Sequence, residues 1–298
     1  MPLPEPTTEA GRTGQEALLG DPAGVLLALD FDGVLAPIVE DPSQSRAQEG
    51  VLPALERLGR YLGSLAVITG RPAIVAARYA GLDQAPGLGE VVVFGHYGLE
   101  RWDNLTGELQ APDLHPGVAE VRIVLPDVLR RLGLEDEVFI EDKGHSLAVH
   151  TRRARDPQGA LELLRPALAE LGGTTGLSLE PGRLVLELRP PGSDKGQALR
   201  RHAAERAART VAYVGDDLGD LPAFAAVDQV RSEGRAGLKV CSGSSEVREL
   251  AGQADLVVDG PAGVVHLLGS WADVLDARHG PESAGSIPDP APNPDSGS

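Results

Sequence analysis

The chain contains the sequence Val25-Leu26-Leu27-Ala28-Leu29-Asp30-Phe31-Asp32-Gly33, an apolar run that ends in two acids. A continuous apolar run closed by a Gly/Asp turn is typical of a buried parallel strand. The same design recurs downstream in Val211-Ala212-Tyr213-Val214-Gly215-Asp216-Asp217-Leu218-Gly219-Asp220. Ligands of open α/β sheets bind outside the carboxyl ends of the strands. We therefore expect both groups of acids to lie on one rim of a parallel sheet.

Carboxylates that converge on one crevice repel one another and resist desolvation. A positive charge between them would relieve both effects, and oxygen ligands favour a hard divalent cation. The sequence therefore predicts a magnesium site on this rim.

Composition limits the classes of partner. The 298 residues carry 27 basic and 44 acidic side chains, for a formal net charge of −17. This balance disfavours nucleic acid and anionic membrane surfaces. The single cysteine, Cys241, excludes an internal disulfide and fits a reducing compartment. The first twenty residues do not resemble a signal peptide, and no apolar run approaches the ~18 residues that span a bilayer. We expect a soluble, cytoplasmic monomer.

Strand-like and helical patterns alternate along the chain, but the rhythm changes in its middle third. There, apolar and polar residues alternate in segments such as Ser146-Leu147-Ala148-Val149-His150, which is typical of half-exposed strands. We predict an α/β fold in which a doubly wound, Rossmann-like parallel-sheet core, residues 18–95 and 191–278, holds an inserted α+β cap domain, residues 96–190. Segments 1–17 and 279–298 are rich in Pro, Gly and polar residues and are predicted to be disordered tails.

Two more motifs follow in the predicted core. The strand-like run Leu65-Ala66-Val67-Ile68 is closed by Thr69-Gly70-Arg71-Pro72. Only three of the 27 basic residues are lysines, and one of them stands in Ser193-Asp194-Lys195-Gly196, where the core pattern resumes. The other basic residues are arginines, so a lysine at this position indicates a role that needs a compact ammonium, such as contact with a phosphoryl oxygen. Each motif alone is weak, and the order of all four indicates the function.

That order resembles the haloacid dehalogenase superfamily of phosphohydrolases, over roughly residues 24 to 275. The insertion resembles the cap of trehalose-6-phosphate phosphatases. The segments that carry this second resemblance are Gly95-His96-Tyr97-Gly98, Glu141-Asp142-Lys143-Gly144-His145-Ser146 through His150-Thr151-Arg152, Leu186-Glu187-Leu188-Arg189-Pro190-Pro191-Gly192 and Asp194-Lys195-Gly196. Three residues depart from the pattern: Val34 replaces a common threonine, and Gly219 and Leu221 replace the usual threonine and glutamate.

The resemblance implies four catalytic residues. Asp30 would be the nucleophile that attacks phosphorus and forms an aspartyl phosphate. Asp32, two residues further on, would protonate the departing sugar oxygen and then take a proton from the attacking water. Thr69 and Lys195 would bind the remaining phosphoryl oxygens.

The resemblance also implies a set of metal ligands. Mg²⁺ would be held by Asp30, the backbone carbonyl of Asp32 and Asp216, and would screen the repulsion between the nucleophile and the phosphate. Asp217 and Asp220 would complete or orient the metal shell.

Substrate choice is expected in the cap. By resemblance, Glu141 and Glu187 would accept hydrogen bonds from sugar hydroxyls, while Lys143 and Arg152 would donate to them. Arg71, next to the phosphate-binding threonine, would reach phosphate or sugar. The alternative is that these residues form surface ion pairs, which contribute little.

We expect a phosphoric monoester hydrolase that converts trehalose 6-phosphate to trehalose and phosphate. An enzyme alternative is a phosphatase of another sugar phosphate, such as sucrose phosphate or mannosyl-phosphoglycerate. An alternative of a different class is a catalytically silent sugar-phosphate sensor. Loss of Asp32 or Lys195 would have favoured the sensor, and both are present.

Overall fold

The computed structural model describes residues 3–39, 41–182, 184–243 and 248–280. Within these residues the helices are α1 (Glu9–Gly20), α2 (Val51–Gly59), α3 (Ala73–Ala80), α4 (Pro116–Leu132), α5 (Pro157–Thr175), α6 (Lys195–Glu205), α7 (Leu221–Ser232), α8 (Arg248–Gln253) and α9 (Gly260–His279). The strands are β1 (Val25–Leu29), β2 (Ser64–Ile68), β3 (Val92–Gly95), β4 (Glu100–Asp103), β5 (Leu109–Gln110), β6 (Phe139–Asp142), β7 (Leu147–His150), β8 (Ser178–Gly182), β9 (Val185–Arg189), β10 (Thr210–Gly215), β11 (Ala236–Gly243) and β12 (Leu256–Asp259).

Eight of the described strands form one sheet, in the order β12-β11-β10-β1-β2-β3-β4-β5. The strands from β12 to β3 are parallel, and β4 and β5 extend the sheet in antiparallel pairs. β1 lies between β10 and β2, so the three strands that precede the predicted catalytic motifs are neighbours. This topology confirms the predicted α/β fold class.

Helices cover both faces of this sheet. Leu27 and Leu29 of β1 belong to an apolar cluster that includes α1, α2, α3 and α9, whereas Leu26 and Ala28 belong to a cluster with α6, α7 and α8. Successive side chains of a strand point to opposite faces. A strand that is buried on both faces therefore needs the continuous apolar run seen in the sequence.

A second sheet, antiparallel and in the order β6-β7-β9-β8, packs on α4 and α5. Leu186 and Leu188 of β9 point toward these helices. Glu187 lies between them and points to the opposite face, where strand pairing aligns it with Ala148 and Glu141. The cap therefore has an apolar face toward its helices and a polar face on the other side.

The prediction of a disordered tail over residues 1–17 is wrong for residues 9–17. Most of this segment lies in α1, which begins at Glu9 with the Thr8 hydroxyl accepting a hydrogen bond from the amide of Gly11 at 3.0 Å. Trp271 Nε1 donates to Gln15 Oε1 at 3.0 Å, and Leu18 is fully buried. The segment contains few apolar residues, so its helix depends on contacts with distant parts of the chain.

The predicted start of the cap at residue 96 is too early. β4 and β5 continue the core sheet, so the elements of the cap run from Pro116 at the start of α4 to Arg189 at the end of β9. The predicted C-terminal tail lies outside the described residues from position 281 onward. Across the residues that are described, no helix has the length and apolar character to cross a membrane.

Candidate active site

The side chain that follows β1 meets the first side chain of α6. Lys195 Nζ donates to Asp30 Oδ2 at 2.6 Å and to Asp220 Oδ1 at 2.7 Å. All three residues are buried, Asp220 completely. The structure therefore brings the predicted nucleophile and the predicted phosphate-binding lysine into direct contact.

The Asp220 carboxylate accepts four hydrogen bonds. Oδ1 accepts from Lys195 and from the Tyr213 hydroxyl, the latter at 2.6 Å. Oδ2 accepts from the amides of Asp216 and Asp217, at 2.8 Å and 3.2 Å. These bonds fix the ammonium of Lys195 and the turn after β10. Of the two roles predicted for Asp220, the geometry fits orientation of the site rather than direct metal coordination.

Four carboxylates converge at this point. Asp30, Asp216, Asp217 and Asp220 each offer an oxygen, and the four oxygens lie within 4.8 Å of one another. Among the described residues, Lys195 is the cation that bonds to the cluster. The negative charges therefore exceed the positive charge in a largely buried space.

This imbalance shifts the pKa values of the buried groups. Burial and the neighbouring acids raise the pKa of Asp216 well above its usual range. Burial also raises the pKa of Asp30, although the charge of Lys195 opposes the rise. Burial alone would lower the pKa of Lys195, but Asp220 and Asp30 reverse that effect and raise it. Lys195 is therefore held as an ammonium, and the acids need a further positive charge to stay ionised together.

A glycine lets the loop after β1 approach the turn after β10. Gly33 has φ +70, and a Cβ there would lie 2.1 Å from Asp216 Oδ2. The Ser242 hydroxyl donates to the Gly33 carbonyl at 2.6 Å. Any larger residue at position 33 would push the loop away from the carboxylate cluster.

Arg71 links the predicted acid/base residue to the loop after β2. Its Nε and Nη2 donate to the two carboxylate oxygens of Asp32, both at 2.7 Å, and its Nη1 donates to the Pro42 carbonyl at 2.8 Å. The amide of Arg71 donates to the Thr69 hydroxyl at 3.2 Å. A two-bond fork of this kind fixes the orientation of a carboxylate as well as its position. Asp32, Thr69 and Arg71 therefore form one connected group.

The polar face of the cap has an ion pair of its own, between half-buried Lys143 and buried Glu187. Lys143 Nζ donates to Glu187 Oε2 at 2.9 Å, and the Ser146 hydroxyl donates to Glu187 Oε1 at 2.5 Å. Burial would raise the pKa of Glu187, but Lys143 and the hydrogen bond from Ser146 outweigh it, so the pKa lies below its usual value. Here one carboxylate and one ammonium are in balance.

Glu141 lies in the same row of the cap sheet, with Oε2 at 2.9 Å from His150 Nε2. Burial would raise the pKa of Glu141, but the bond to His150 and the charges of Lys143 and Arg71 lower it. The charge of Arg71 is therefore within electrostatic reach of the cap. Arg152 is exposed in the turn after β7, with no hydrogen bond or ion pair to the described site residues, so the structure does not bring it into this group.

The sequence did not single out several residues of the site. Tyr213 and Ser242 read as strand residues, although their hydroxyls hold Asp220 and the Gly33 carbonyl. Tyr97 belongs to the segment Gly95-His96-Tyr97-Gly98, which carries part of the family resemblance, yet nothing in the sequence indicates that its hydroxyl bonds to Glu187. An Asp-turn or a Gly-rich loop leaves a local signal, whereas these contacts depend on how distant strands pair.

A family model described as trehalose-phosphatase matches residues 28–261. The chain belongs to the trehalose-phosphatase family. It is 31% identical to the trehalose-phosphate phosphatase of Mycobacterium marinum over 276 residues, covering 86% of this chain and 65% of that relative. It is 29% identical to the trehalose-6-phosphate phosphatase of Escherichia coli over 233 residues, covering 76% of this chain and 82% of that relative.

Solved structures agree on the fold of this trehalose-phosphatase family member. The C-terminal domain of Candida albicans trehalose-6-phosphate phosphatase matches with a TM-score of 0.69 at 19% identity, over 92% of this chain and 99% of that one. The Aspergillus fumigatus trehalose-6-phosphate phosphatase matches with a TM-score of 0.65 at 22% identity, over 90% of this chain and 99% of that one. The predicted family is confirmed.

Proposed function

We propose that the protein hydrolyses trehalose 6-phosphate to trehalose and inorganic phosphate through an aspartyl phosphate on Asp30. One observation carries the proposal: a buried Asp30–Lys195 pair follows β1, and the polar face of the cap, which presents Glu141, Lys143 and Glu187, contacts the core through Tyr97. Such a site combines a nucleophile for phosphorus with acceptors and a donor for sugar hydroxyls.

The carboxylate cluster fits a divalent cation, and we propose that this cation is Mg²⁺. Four acids against one lysine, with raised pKa values at Asp30 and Asp216, leave a negative charge that a hard cation would balance. Asp30, Asp216 and the backbone carbonyl of Asp32 would hold it, and Asp217 would complete the shell. When bound, the cation supplies charge that lets an anionic nucleophile approach an anionic phosphoryl group.

In the first step, Asp30 Oδ attacks phosphorus, the bond between phosphorus and the sugar oxygen breaks, and Asp32 gives that oxygen a proton. Lys195 is bonded to Asp30 and stands where it would hold a phosphoryl oxygen as negative charge moves across the transferring group. The Thr69 hydroxyl would donate to another oxygen.

In the second step, water attacks the phosphorus of the aspartyl phosphate, and Asp32 takes the proton that the water loses. The bond between phosphorus and Asp30 Oδ breaks, which releases inorganic phosphate and restores the Asp30 carboxylate. Both oxygens of Asp32 are held by Arg71 in this structure. We propose that the phosphate dianion draws the guanidinium toward itself, which frees Asp32 for its two proton transfers. Arg71 is therefore proposed to position Asp32 and to bind phosphate in turn.

Sugar recognition is proposed to use the balanced charges of the cap. Glu141 and Glu187 would accept from glucose hydroxyls, and Lys143 would donate to them. A sugar that lacks a hydroxyl at such a point leaves a buried charged group without its partner, which is a strong basis for rejection. Arg152 is proposed to reach the disaccharide from the edge of the cap, because it lies in an exposed turn.

The test is phosphate release from trehalose 6-phosphate, sucrose 6-phosphate, glucose 6-phosphate and p-nitrophenyl phosphate, each with Mg²⁺ and with chelator. Magnesium-dependent release that strongly prefers trehalose 6-phosphate is the expected result. Preference for a different sugar phosphate would keep the core chemistry and overturn the substrate. No release from any compound would overturn the enzyme function and favour a sensor.

A further inference from the structure

Tyr97 has an unusual backbone conformation at the start of the segment that leads to the cap. It has φ +59 and ψ +27, and the preceding residue, His96, also has a positive φ of 46°. Two successive left-handed residues other than glycine are uncommon, and a bulky aromatic side chain is disfavoured there. Such conformations persist where the surrounding structure holds them, and they occur preferentially at functional sites.

The core holds this segment from below. The amide of Tyr97 donates to the Thr69 carbonyl at 2.9 Å, and the amide of His96 donates to the Arg71 carbonyl at 3.0 Å. The side chain of Tyr97 lies over Gly70, because a Cβ at position 70 would lie 2.7 Å from the Tyr97 hydroxyl oxygen. Tyr97 is therefore fixed against the loop that carries the predicted phosphate-binding hydroxyl.

The cap meets the same side chain from above. The Tyr97 hydroxyl donates to Glu187 Oε2 at 3.2 Å, and the guanidinium carbon of Arg189 lies 4.0 Å from the centre of the Tyr97 ring. A cation over an aromatic face is attractive, and more so where water is excluded. Burial raises the pKa of Tyr97 to about 12, so the hydroxyl remains a donor at neutral pH.

We propose that Tyr97 is a positioning residue that fixes Glu187 and Arg189 of the cap over the Thr69–Arg71 loop of the core. By this contact the enzyme discriminates phosphate esters of sugars from phosphate esters that make no contact with the cap. The inference rests on the proposed function, because it takes Glu187 as a sugar-binding residue.

The hydrogen bonds that Glu187 already accepts show how it can receive a sugar. Glu187 accepts from Ser146 at 2.5 Å, from Lys143 at 2.9 Å and from Tyr97 at 3.2 Å. The bond from Tyr97 is the longest and is the one that joins two domains. Among the described residues, Oε2 accepts from Lys143 and Tyr97 and Oε1 accepts from Ser146, so a sugar hydroxyl can donate to Oε1 while the bond from Tyr97 is kept. Tyr97 thus holds Glu187 ready for the sugar before the substrate arrives.

The test is the variant Tyr97→Phe, assayed on trehalose 6-phosphate and on p-nitrophenyl phosphate. Loss of one hydrogen bond to a charged group predicts a fall of about tenfold in kcat/KM for trehalose 6-phosphate. The rate on the aryl phosphate should stay within about twofold of wild type, because that ester needs no cap contact. Equal losses on both substrates, or no loss on either, would overturn the proposal.

Tyr61→Phe is the matched control. The Tyr61 hydroxyl also donates to a carboxylate, Asp276 Oδ1, at 2.7 Å, but it joins the turn after α2 to α9. The kcat/KM of the Tyr61→Phe enzyme should equal that of wild type on both substrates. A double-mutant cycle with Glu187→Gln adds a readout that a general loss of structure would not give: the two changes should be clearly non-additive, and strict additivity would overturn the proposal.

The wild-type panel and the variant ratio answer different questions. If wild type prefers another sugar phosphate, the proposed substrate fails, and the ratio measured on that substrate still decides the role of Tyr97. If wild type prefers trehalose 6-phosphate and the ratio does not change, only the role of Tyr97 fails.

Discussion

Two groups of the molecule pair a lysine with a buried carboxylate, one in the core and one in the cap. In the core, Lys195 faces Asp30 and Asp220, with two further acids close by, and the pKa of Asp30 is raised by burial. In the cap, Lys143 faces Glu187, whose pKa is lowered by its partners despite burial. The same residue types therefore favour different ligands in the two groups. An excess of acid requires a cation, whereas a balanced pair can receive neutral hydroxyls.

The largest expected effect is at the nucleophile. Asp30→Asn keeps the shape of the side chain but removes the attacking carboxylate, so turnover of every phosphate ester should fall by about a thousandfold or more. Phosphate release measures the rate, and thermal unfolding shows that the variant is folded. Asp127→Asn, an exposed acid of the cap helix α4, is the matched control and should be fully active. An Asp30→Asn enzyme that retains more than about a hundredth of the rate would contradict the assignment.

The next effect concerns the charge excess of the core. Asp216→Asn removes one negative charge from the cluster, so the Mg²⁺ concentration that gives half-maximal activity should rise at least about tenfold. Titration of Mg²⁺ into chelator-treated enzyme measures it. An unchanged Mg²⁺ requirement would show that the cluster is not the cation site.

Charge balance in the cap predicts a selective effect. Glu187→Gln leaves Lys143 without its carboxylate partner and removes an acceptor for sugar hydroxyls. We expect kcat/KM to fall about tenfold to a hundredfold for trehalose 6-phosphate and to change little for p-nitrophenyl phosphate. Glu170→Gln, on the exposed face of α5, is the matched control. Parallel losses on both substrates would mean that Glu187 acts on the fold rather than on the sugar.

The smallest expected effect is on the pH dependence of stability, and it arises from His202 in α6, the helix that begins with Lys195. Burial lowers the pKa of His202 to about 4, and its Nε2 lies 3.0 Å from the Ser64 hydroxyl oxygen. Between pH 4 and about 6.5 the unfolded state binds more protons at this residue, so the free energy of unfolding should fall as pH drops through that window.

We expect His202 to change the free energy of unfolding by on the order of 2 kcal/mol between pH 5 and pH 8. Denaturant unfolding at pH 5 and pH 8 measures it. His202→Gln should weaken the pH dependence of the free energy of unfolding. At pH 8 the imidazole is neutral in the folded and the unfolded state, so any loss of stability of the variant at that pH reports lost packing and hydrogen bonding rather than titration. An identical pH dependence in the variant would exclude His202 as its source.

The core was more predictable from the sequence than the contacts between the domains. β1, β2 and β10 follow from continuous apolar runs, and the rule for strand ends then places Asp30 and Asp216 together. Helix α1 was missed because its stability comes from contacts such as that between Gln15 and Trp271, which are far apart in the sequence. The boundary of the cap was misplaced because β4 and β5 are short and mostly polar, with Trp102 and Leu109 as their apolar residues, although they continue the core sheet.

Contacts between side chains that are distant in the sequence, within the core and between core and cap, left no local signal. Asp220 reads as one more acid of a loop, and only the geometry shows that its oxygens are committed to Lys195, Tyr213 and two amides. Tyr97 reads as a turn aromatic, and only the geometry places it between Gly70 and Glu187.

Calorimetric titration of Mg²⁺ and of trehalose, each into wild type, Asp216→Asn and Glu187→Gln, tests the difference between the two groups most directly. We predict that Asp216→Asn weakens Mg²⁺ binding and leaves trehalose binding intact, while Glu187→Gln does the reverse. This prediction would be contradicted if either substitution weakened the binding of both ligands equally, or if the two effects were exchanged. Either result would mean that the acid-rich core and the charge-balanced cap do not bind the cation and the sugar separately.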